Sequence, residues 1–551
     1  MQRKDLWYKD AIIYTLDVET FYDSNGDGIG DFKGLTERLP YIAGLGVTVI
    51  WLLPFYTTPN KDNGYDISDY YQVDPRLGTL GDFVEFTHQA TEYGIRVIVD
   101  LVINHTSIDH PWFKQAISDP DSKFYDYYVW SDKKPKNINE GMVFPGVQDS
   151  IWTYEKKVDA WYLHRFYEHQ PDLNMMNPDV VEEVRRIMGF WLKLGVSGFR
   201  IDAAPFVIEM LGIEHEGSTE KANYKYIQQM RSFLSWRRGD AVMLAEANIE
   251  MDKVGDYVGD GDKLQMLFHF MLNQNLFLAL AKESAEPLVT GLKAPPKVPD
   301  TVQWVNFLRV HDELDLGRLG KKDQQFVFDK FAPDEDMIVY DRGIRRRLGP
   351  MLENDRPRIE LANSLLLTLP GTPIIRYGDE IGMGDDLSLP ERNSVRTPMQ
   401  WSNEKNGGFS TAPRRKLARP VIYKGEYGYK KVNVEDQQRD EGSLLNWFEK
   451  AIRVRRKCPE FGYGTWKLLE TGDDRVLAHR CDWEEKSVIA VHNLSSESVK
   501  IRLKSEEGRN ETWLDLIGDH QYEIVDGDPK QVALDGYGYR WFRVKPMEEV
   551  E

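Results

Sequence analysis

Residues 196–203 read Val-Ser-Gly-Phe-Arg-Ile-Asp-Ala. The stretch is short, apolar at its start and charged at its end, the pattern of a buried parallel strand whose C-terminal end carries polar side chains. Seven further short apolar runs occur along the chain, at Ala11–Phe21, Val47–Phe55, Ile95–Val102, Ala241–Ala247, Leu264–Leu272, Val302–Leu308 and Gly371–Tyr377. Helical periodicity fills many of the intervals, as at Gly81–Tyr93, Pro178–Leu194 and Arg356–Leu369. Strands alternating with helices predict a parallel sheet. Eight such repeats predict an α/β fold of the (β/α)8 TIM-barrel type.

Two intervals are too long for simple loops. Residues 106–171 follow the third strand and are rich in Asp, Pro, Tyr and Trp, which predicts an inserted lobe beside the barrel mouth. Residues 317–354 follow the seventh strand and carry many charges, which predicts a helical insertion. From residue 464 short alternating stretches such as SVIAVHNLS predict an antiparallel C-terminal β-sandwich domain over 464–551. The barrel itself is then assigned to 1–105 and 172–463.

Composition narrows the function. The formal net charge of −19 is spread along the chain, which argues against nucleic acid and anionic membranes as partners. No run of 18 apolar residues is present, so no membrane span is predicted. The N-terminus lacks the apolar stretch of a signal peptide, and only two cysteines occur, Cys458 and Cys481; a reducing cytoplasm is the expected location. The oligomeric state is open between a monomer and a homodimer.

The polar residues at the strand ends carry the chemistry. Arg200 and Asp202 are two apart and face the same way on a strand. A paired guanidinium is expected to keep Asp202 ionised with a lowered pKa, as a nucleophile needs, although the spacing alone fits a structural ion pair equally well. Glu246 closes the fifth strand in Leu-Ala-Glu-Ala-Asn, where desolvation could hold the proton of a general acid. Asp100, Asn104 and His105 end the third strand, and His311 and Asp312 end the seventh. Each is weak alone. Together, two carboxylates with a third nearby describe glycoside chemistry through a glycosyl-enzyme intermediate. Separately, Asp23, Asn25 and Asp27 alternate with glycines and lead to Ile29 and Asp31, a pattern suited to a hard cation such as calcium, or to an Asx-rich turn without metal.

The ordered strings DLVINH, GFRID, LAEAN and RVHDE, with QPDLN at residues 170–174, resemble the signature regions of the α-amylase superfamily, glycoside hydrolase family 13. The resemblance runs over nearly the whole chain. It implies Asp202 as nucleophile, Glu246 as acid/base and Asp312 as the third carboxylate, with Arg200, His105 and His311 at the glucosyl unit. It also implies that Tyr65 stacks on the terminal sugar and that Asp66 pairs with Arg392 to seal the pocket. Ca²⁺ is implied as a structural ion at Asp23, Asn25, Asp27, the Ile29 carbonyl and Asp31, with a second site at Asn104, Asp172, Glu209 and the carbonyls of Phe206 and Val207; no organic cofactor is implied. Within the superfamily, WLLPFY, HRFYEHQPDLN, GIRRRLGPMLENDRPRIEL, LPGTPIIRYGDEIGMGD and VRTPMQWS are similar to the trehalose synthases, which isomerise maltose to trehalose. Four features depart from that pattern near the barrel mouth: Glu19, Val310, Arg376 and the stretch 387–394. A small α-glucoside such as maltose or trehalose is the expected substrate. An α-glucosidase or a transglucosylase using another small acceptor is the alternative.

Overall fold

The computed structural model describes residues 4–208, 223–506, 511–523 and 529–546. Eight parallel strands close into a barrel: β1 (Ile13–Leu16), β2 (Val49–Leu52), β3 (Arg96–Leu101), β4 (Gly198–Ile201), β5 (Val242–Ala245), β6 (Met266–Phe268), β7 (Gln303–Phe307) and β8 (Thr372–Arg376). Every strand lies within one of the eight apolar runs. The run 264–272 holds two elements, because His269 ends the strand and caps the next helix, its Nδ1 accepting from Leu272 N at 3.2 Å.

The period of two along each strand sorts side chains into two cores. Ile13, Val49, Trp51, Ile98, Val242, Leu244, Met266, Phe268, Val305, Phe307 and Ile374 fill the barrel interior. Their outward neighbours, such as Tyr14, Ile50, Val97, Phe199 and Met243, pack against the helical layer. The inward row continues past the apolar residues at the C-terminal ends. Ile98 is followed by Asp100, Gly198 by Arg200 and Asp202, and Leu244 by Glu246. Strand register sets Asp100 beside Arg200 and Arg200 beside Leu244, so the charged side chains share one layer at the barrel mouth.

The lobe at 106–171 holds the helix Pro111–Ser118 and a three-stranded antiparallel sheet with its own small core of Val129, Ile151, Trp152 and Leu163. The insertion after β7 is helical only over Lys321–Phe331. The expected helical excursion is corrected beyond that point: Ile338–Val339 and Gly343–Ile344 form a hairpin that also pairs with Leu314–Asp315. The turn places Tyr340 and Asp341 at φ 58° and 57°, so this arginine-rich stretch reverses rather than coils. Its arginines reach separate carbonyls, Arg345 that of Leu387 and Arg347 that of Tyr377.

At the C-terminal end, β9 (Thr465–Leu468), β10 (Val476–Trp483), β11 (Lys486–Asn493), β13 (Glu511–Gly518) and β15 (Tyr539–Pro546) form one antiparallel sheet in the order β9-β10-β11-β15-β13. The pair β12 (Val499–Leu503) and β14 (Lys530–Leu534) contributes Ile501 and Val532 to a core shared with Val491 and Phe542. On its other side, fully buried Trp541 donates from Nε1 to Ser364 Oγ at 2.8 Å, fastening the sheet to a barrel helix. Trp541→Ala opens a cavity there and removes one of the two side-chain partners of that hydroxyl, the other being His492 Nε2 at 2.9 Å. We expect a loss of about 3–5 kcal/mol, read as a lower urea midpoint of the whole chain.

Candidate active site

One guanidinium organises the mouth. Arg200, 1% exposed, donates from Nη1 to Asp100 Oδ1 at 2.8 Å and to Asp202 Oδ1 at 2.6 Å, and its Nη2 lies 2.8 Å from Glu246 Oε2. Three carboxylates therefore share one cation in a buried setting. Burial pushes Asp202 up to about 7, with Arg200 opposing the rise. This corrects the expectation of a lowered value: desolvation outweighs the ion pair when the same guanidinium serves three acids. Burial likewise pushes Glu246 up to about 7, against Arg200 and with the neighbouring Asp202 adding to the rise. Both acids are therefore raised towards neutrality by the same burial. Ala203, next to Asp202, has a left-handed φ of 46°, and its N–H donates to Glu246 Oε2 at 3.1 Å. A strained non-glycine residue thus links the two carboxyls through the backbone.

Asp312 stands opposite. Its Oδ1 accepts from Arg392 Nη1 at 2.6 Å and Arg396 Nη2 at 3.1 Å, and its Oδ2 faces His311 Nε2 at 3.0 Å. Burial would raise this acid, but the hydrogen bond from His311 and the charges of the two arginines outweigh it and hold Asp312 well below the usual carboxylate range. Tyr65 joins the two halves. Its hydroxyl donates to Asp100 Oδ2 at 2.9 Å and lies 2.7 Å from His311 Nε2, with the two rings stacked. Burial depresses His105 and His311 to about 3, so both are neutral hydrogen-bonding groups. His105 Nε2 meets the Tyr65 carbonyl at 3.1 Å.

Tyr65, His105, Asp202, Glu246, Asp312 and Arg392 surround one cavity of about 450 Å³, a size suited to a small ligand. Arg200 and His311 stand directly behind it. Asp66 does not reach it. Its Oδ1 accepts from Asp62 N at 3.0 Å and its Oδ2 from Lys61 N at 2.9 Å, so it braces its own loop. The expected Asp66–Arg392 pair is corrected to Asp62–Arg392, at 3.4 Å, with Gln170 Nε2 donating to Asp62 Oδ2 at 2.9 Å. The sequence offers no rule that ranks Asp62 over Asp66; the turn from Asp62 to Tyr65 decides which one faces the cavity.

The long inserts after the third and seventh strands, the sequence's candidates for a lid, roof the cavity, although the residues that do so were not named from the sequence. Phe144 and Phe166 from the lobe, Phe206 after β4 and Arg342 from the β7 insertion line the cavity. Phe144 packs against Tyr167 at 4.8 Å and Tyr340 at 4.7 Å, with the Arg392 guanidinium over its ring at 4.9 Å. Tyr167 and Tyr340 both donate to Glu391 Oε2, at 2.7 and 2.6 Å. Arg342 Nη1 donates to the Val143 carbonyl at 2.8 Å, while its Nη2 meets Glu313 Oε1 at 3.3 Å. Lobe, insertion and β8 loop are thus tied together above the carboxylates. The length of the two inserts signalled the roof, and the aromatic-rich composition of the lobe signalled what lines it.

The calcium residues fall into two groups. Asp23 and Asp31, each 5% exposed, have no Lys or Arg ion-pair partner among the described residues. Asp23 accepts from the N–H groups of Asn25, Gly26 and Gly28, Asp27 from Ile29 N, and Asp31 from Gly34 N. Buried carboxylates without a cation in a loop of oxygen donors fit a hard metal ion. Asn104, Asp172, Phe206 and Val207 line one small cavity, but Arg165 lines it too and supplies a positive charge of its own. Glu209 lies outside the described residues.

The α-amylase catalytic-domain family matches residues 13–464, and a sucrose hydrolase-like C-terminal domain matches 486–543. The chain belongs to the α-amylase family. Among its relatives in that family is "Trehalose synthase" of Thermus thermophilus, 43% identical over 99% of this chain and 56% of that protein. This chain thus spans little more than half of the Thermus protein. "Trehalose synthase/amylase TreS" of Mycolicibacterium smegmatis is 41% identical over 98% of this chain and 93% of that one. Among solved structures, the trehalulose synthase of Pseudomonas mesoacidophila aligns with a TM-score of 0.78 at 26% identity, covering 98% of this chain and 99% of that one.

Two measurements follow from this geometry. Asp202→Ala should leave the fold intact and keep no more than a few per cent of turnover; more than that removes Asp202 from the chemistry. The roles expected from the sequence, nucleophile and general acid, need Asp202 ionised and Glu246 protonated. Lowering the pH protonates the first and raising it strips the second, so the rate should fall on both sides of a maximum near pH 7. A profile flat from pH 5 to 9 contradicts this pairing.

Proposed function

We propose that this chain is a retaining α-glucosyl enzyme that isomerises maltose to trehalose. The observation that carries the reading is the pairing of Asp202 and Glu246 on one guanidinium beneath a roofed cavity whose end is closed by Asp62 and Arg392. Two carboxyls tethered to one side chain fit the short separation of a retaining pair, ~5–5.5 Å. The closed end suits one terminal glucose. The names of the Thermus and Mycolicibacterium relatives supply the substrate.

In this reading Glu246 protonates the glycosidic oxygen as Asp202 attacks C1, and the C1–O bond to the second glucose breaks. The freed glucose stays under the roof and turns. Glu246 then takes the proton of its anomeric hydroxyl, whose oxygen attacks C1 of the glucosyl-enzyme and releases Asp202. Asp312, His105 and Arg392 grip sugar hydroxyls throughout. Closure matters because water competes for the same intermediate. Hydrolysis is the second reading, favoured by the relationship to "Oligo-1,6-glucosidase" of Bacillus cereus, 29% identical over 98% of this chain. Incubation with maltose decides: trehalose with little free glucose supports the isomerase, and glucose alone overturns it. Arg342→Ala removes the bond to the Val143 carbonyl and should raise the glucose share of the product several-fold; an unchanged share would mean that the roof does not exclude water.

We further propose that Asp23, Asn25, Asp27, the Ile29 carbonyl and Asp31 hold a structural Ca²⁺, and that the enzyme works in a reducing cytoplasm. The first is supported by the unpaired buried acids, the second by the buried free thiols of Cys458 and Cys481. Chelation should lower Tm, by an amount corresponding to about 3 kcal/mol relative to calcium at about 100 Kd. A Tm indifferent to chelator would leave the loop as a metal-free turn.

A further inference from the structure

Arg376 ends β8 and lies outside the cavity, yet it is one of the largest fully buried side chains. It has no carboxylate within ion-pair distance among the described residues, and its Nε has no hydrogen-bond partner. Its Nη1 donates to the Val310 carbonyl and its Nη2 to the Val395 carbonyl. Burial and the nearby Arg347 lower its pKa to about 9, so the cation is held at a cost. Among the described residues the charge is hydrogen-bonded to two carbonyls alone, with the Tyr377 ring 5.5 Å from the guanidinium, which is poor stabilisation, since an apolar side chain of similar size would avoid the desolvation.

The two carbonyls explain its placement. Val310 immediately precedes His311 and Asp312. Val395 lies between Arg392 and Arg396, both of which hold Asp312 Oδ1. Arg396 also donates from Nε to the His311 carbonyl at 2.9 Å. One side chain therefore clamps the backbone behind Asp312 to the backbone behind both arginines that grip it.

We propose that Arg376 is a positioning residue that fixes Asp312 and its arginine clamp in the geometry required for stabilising the glucosyl transition state. The inference rests on the retaining α-glucosyl reading alone and is the same for isomerase or glucosidase. A planar fork spans two carbonyls at once, whereas a lysine ammonium on a flexible stem is a single point charge that reaches one.

The test uses p-nitrophenyl α-glucoside, which reports glucosyl transfer whatever the natural acceptor, and titration calorimetry with 1-deoxynojirimycin, a cationic glucose analogue that needs no turnover. Arg376→Gln is expected to lower kcat ~10–100-fold with KM changed less than about threefold, because substrate binding is retained. Arg376→Lys is expected to fall between the two and serves as the folded variant if Arg376→Gln loses its thermal transition. Inhibitor affinity should drop at least about tenfold in the Arg376 variant. In an Asp312→Asn background the same substitution should cost less than about threefold, because the group it acts through is already lost. A folded variant with kcat within twofold of the parent overturns the proposal. So does an equal loss of inhibitor affinity with and without Asp312, which would make Arg376 a support of the fold only.

Discussion

The structure depends on a shortage of positive charge. Among the described residues Arg200 is the one cation bonded to Asp100, Asp202 and Glu246; it is buried with both aspartates at the barrel mouth, and Glu246 is half-buried beside them. Removing three acids from water with a single guanidinium is costly, and the shortfall is met by protonation. That is how two carboxyls both come to be raised towards neutrality, which suits the proposed roles of nucleophile and proton donor. The arrangement follows from the strand period. Arg200 and Asp202 point inward because Gly198 does, and Asp100 and Glu246 belong to the strands on either side. The rest of the barrel, with its dry interior of Trp51, Leu244, Phe268 and Phe307, holds that layer rigid and away from solvent.

Asp312 shows the opposite balance. Two arginines and a histidine meet its carboxylate, and it is held well below the usual range while burial pushes Asp202 and Glu246 above it. The two halves meet at Tyr65, whose hydroxyl touches both Asp100 and His311. The two sides of the cavity thus differ: burial raises the acids Asp202 and Glu246 on one, and arginines hold Asp312 low on the other. A sugar that develops positive charge at C1 fits between them. Above it, Phe144, Tyr340, Glu391 and Arg342 join three separate insertions. Tyr340, Asp341 and Glu391 all adopt positive φ, so the roof carries backbone strain.

Much of this was legible in the sequence, for definite reasons. A strand buried on both faces is an uninterrupted apolar run, and all eight barrel strands announced themselves that way. The inward-facing acids were legible because residues two apart share a face. What was not legible depends on tertiary packing. The turn that swaps Asp62 for Asp66 as the partner of Arg392 has no signature, since both are aspartates beside Gly64. The pKa of Asp202 was read from one neighbour, whereas it is set by burial and by the other acids that Arg200 serves. The charged stretch after β7 read as helix because its turn is made by Tyr340 and Asp341, side chains that rarely take a left-handed φ. Arg376 stood out by residue type alone, and only the two carbonyls it reaches give that a meaning.

The central claim is that Asp202 takes the glucosyl group while Glu246 manages the proton. It is tested most directly by reacting the protein with 5-fluoro-α-glucosyl fluoride, which slows breakdown of a glycosyl-enzyme, and locating the added mass by peptide mapping. The structure predicts a single label on the peptide carrying Asp202, displaced when an acceptor sugar is supplied. A label on Glu246 or Asp312, or turnover of this reagent without any covalent adduct, would contradict it.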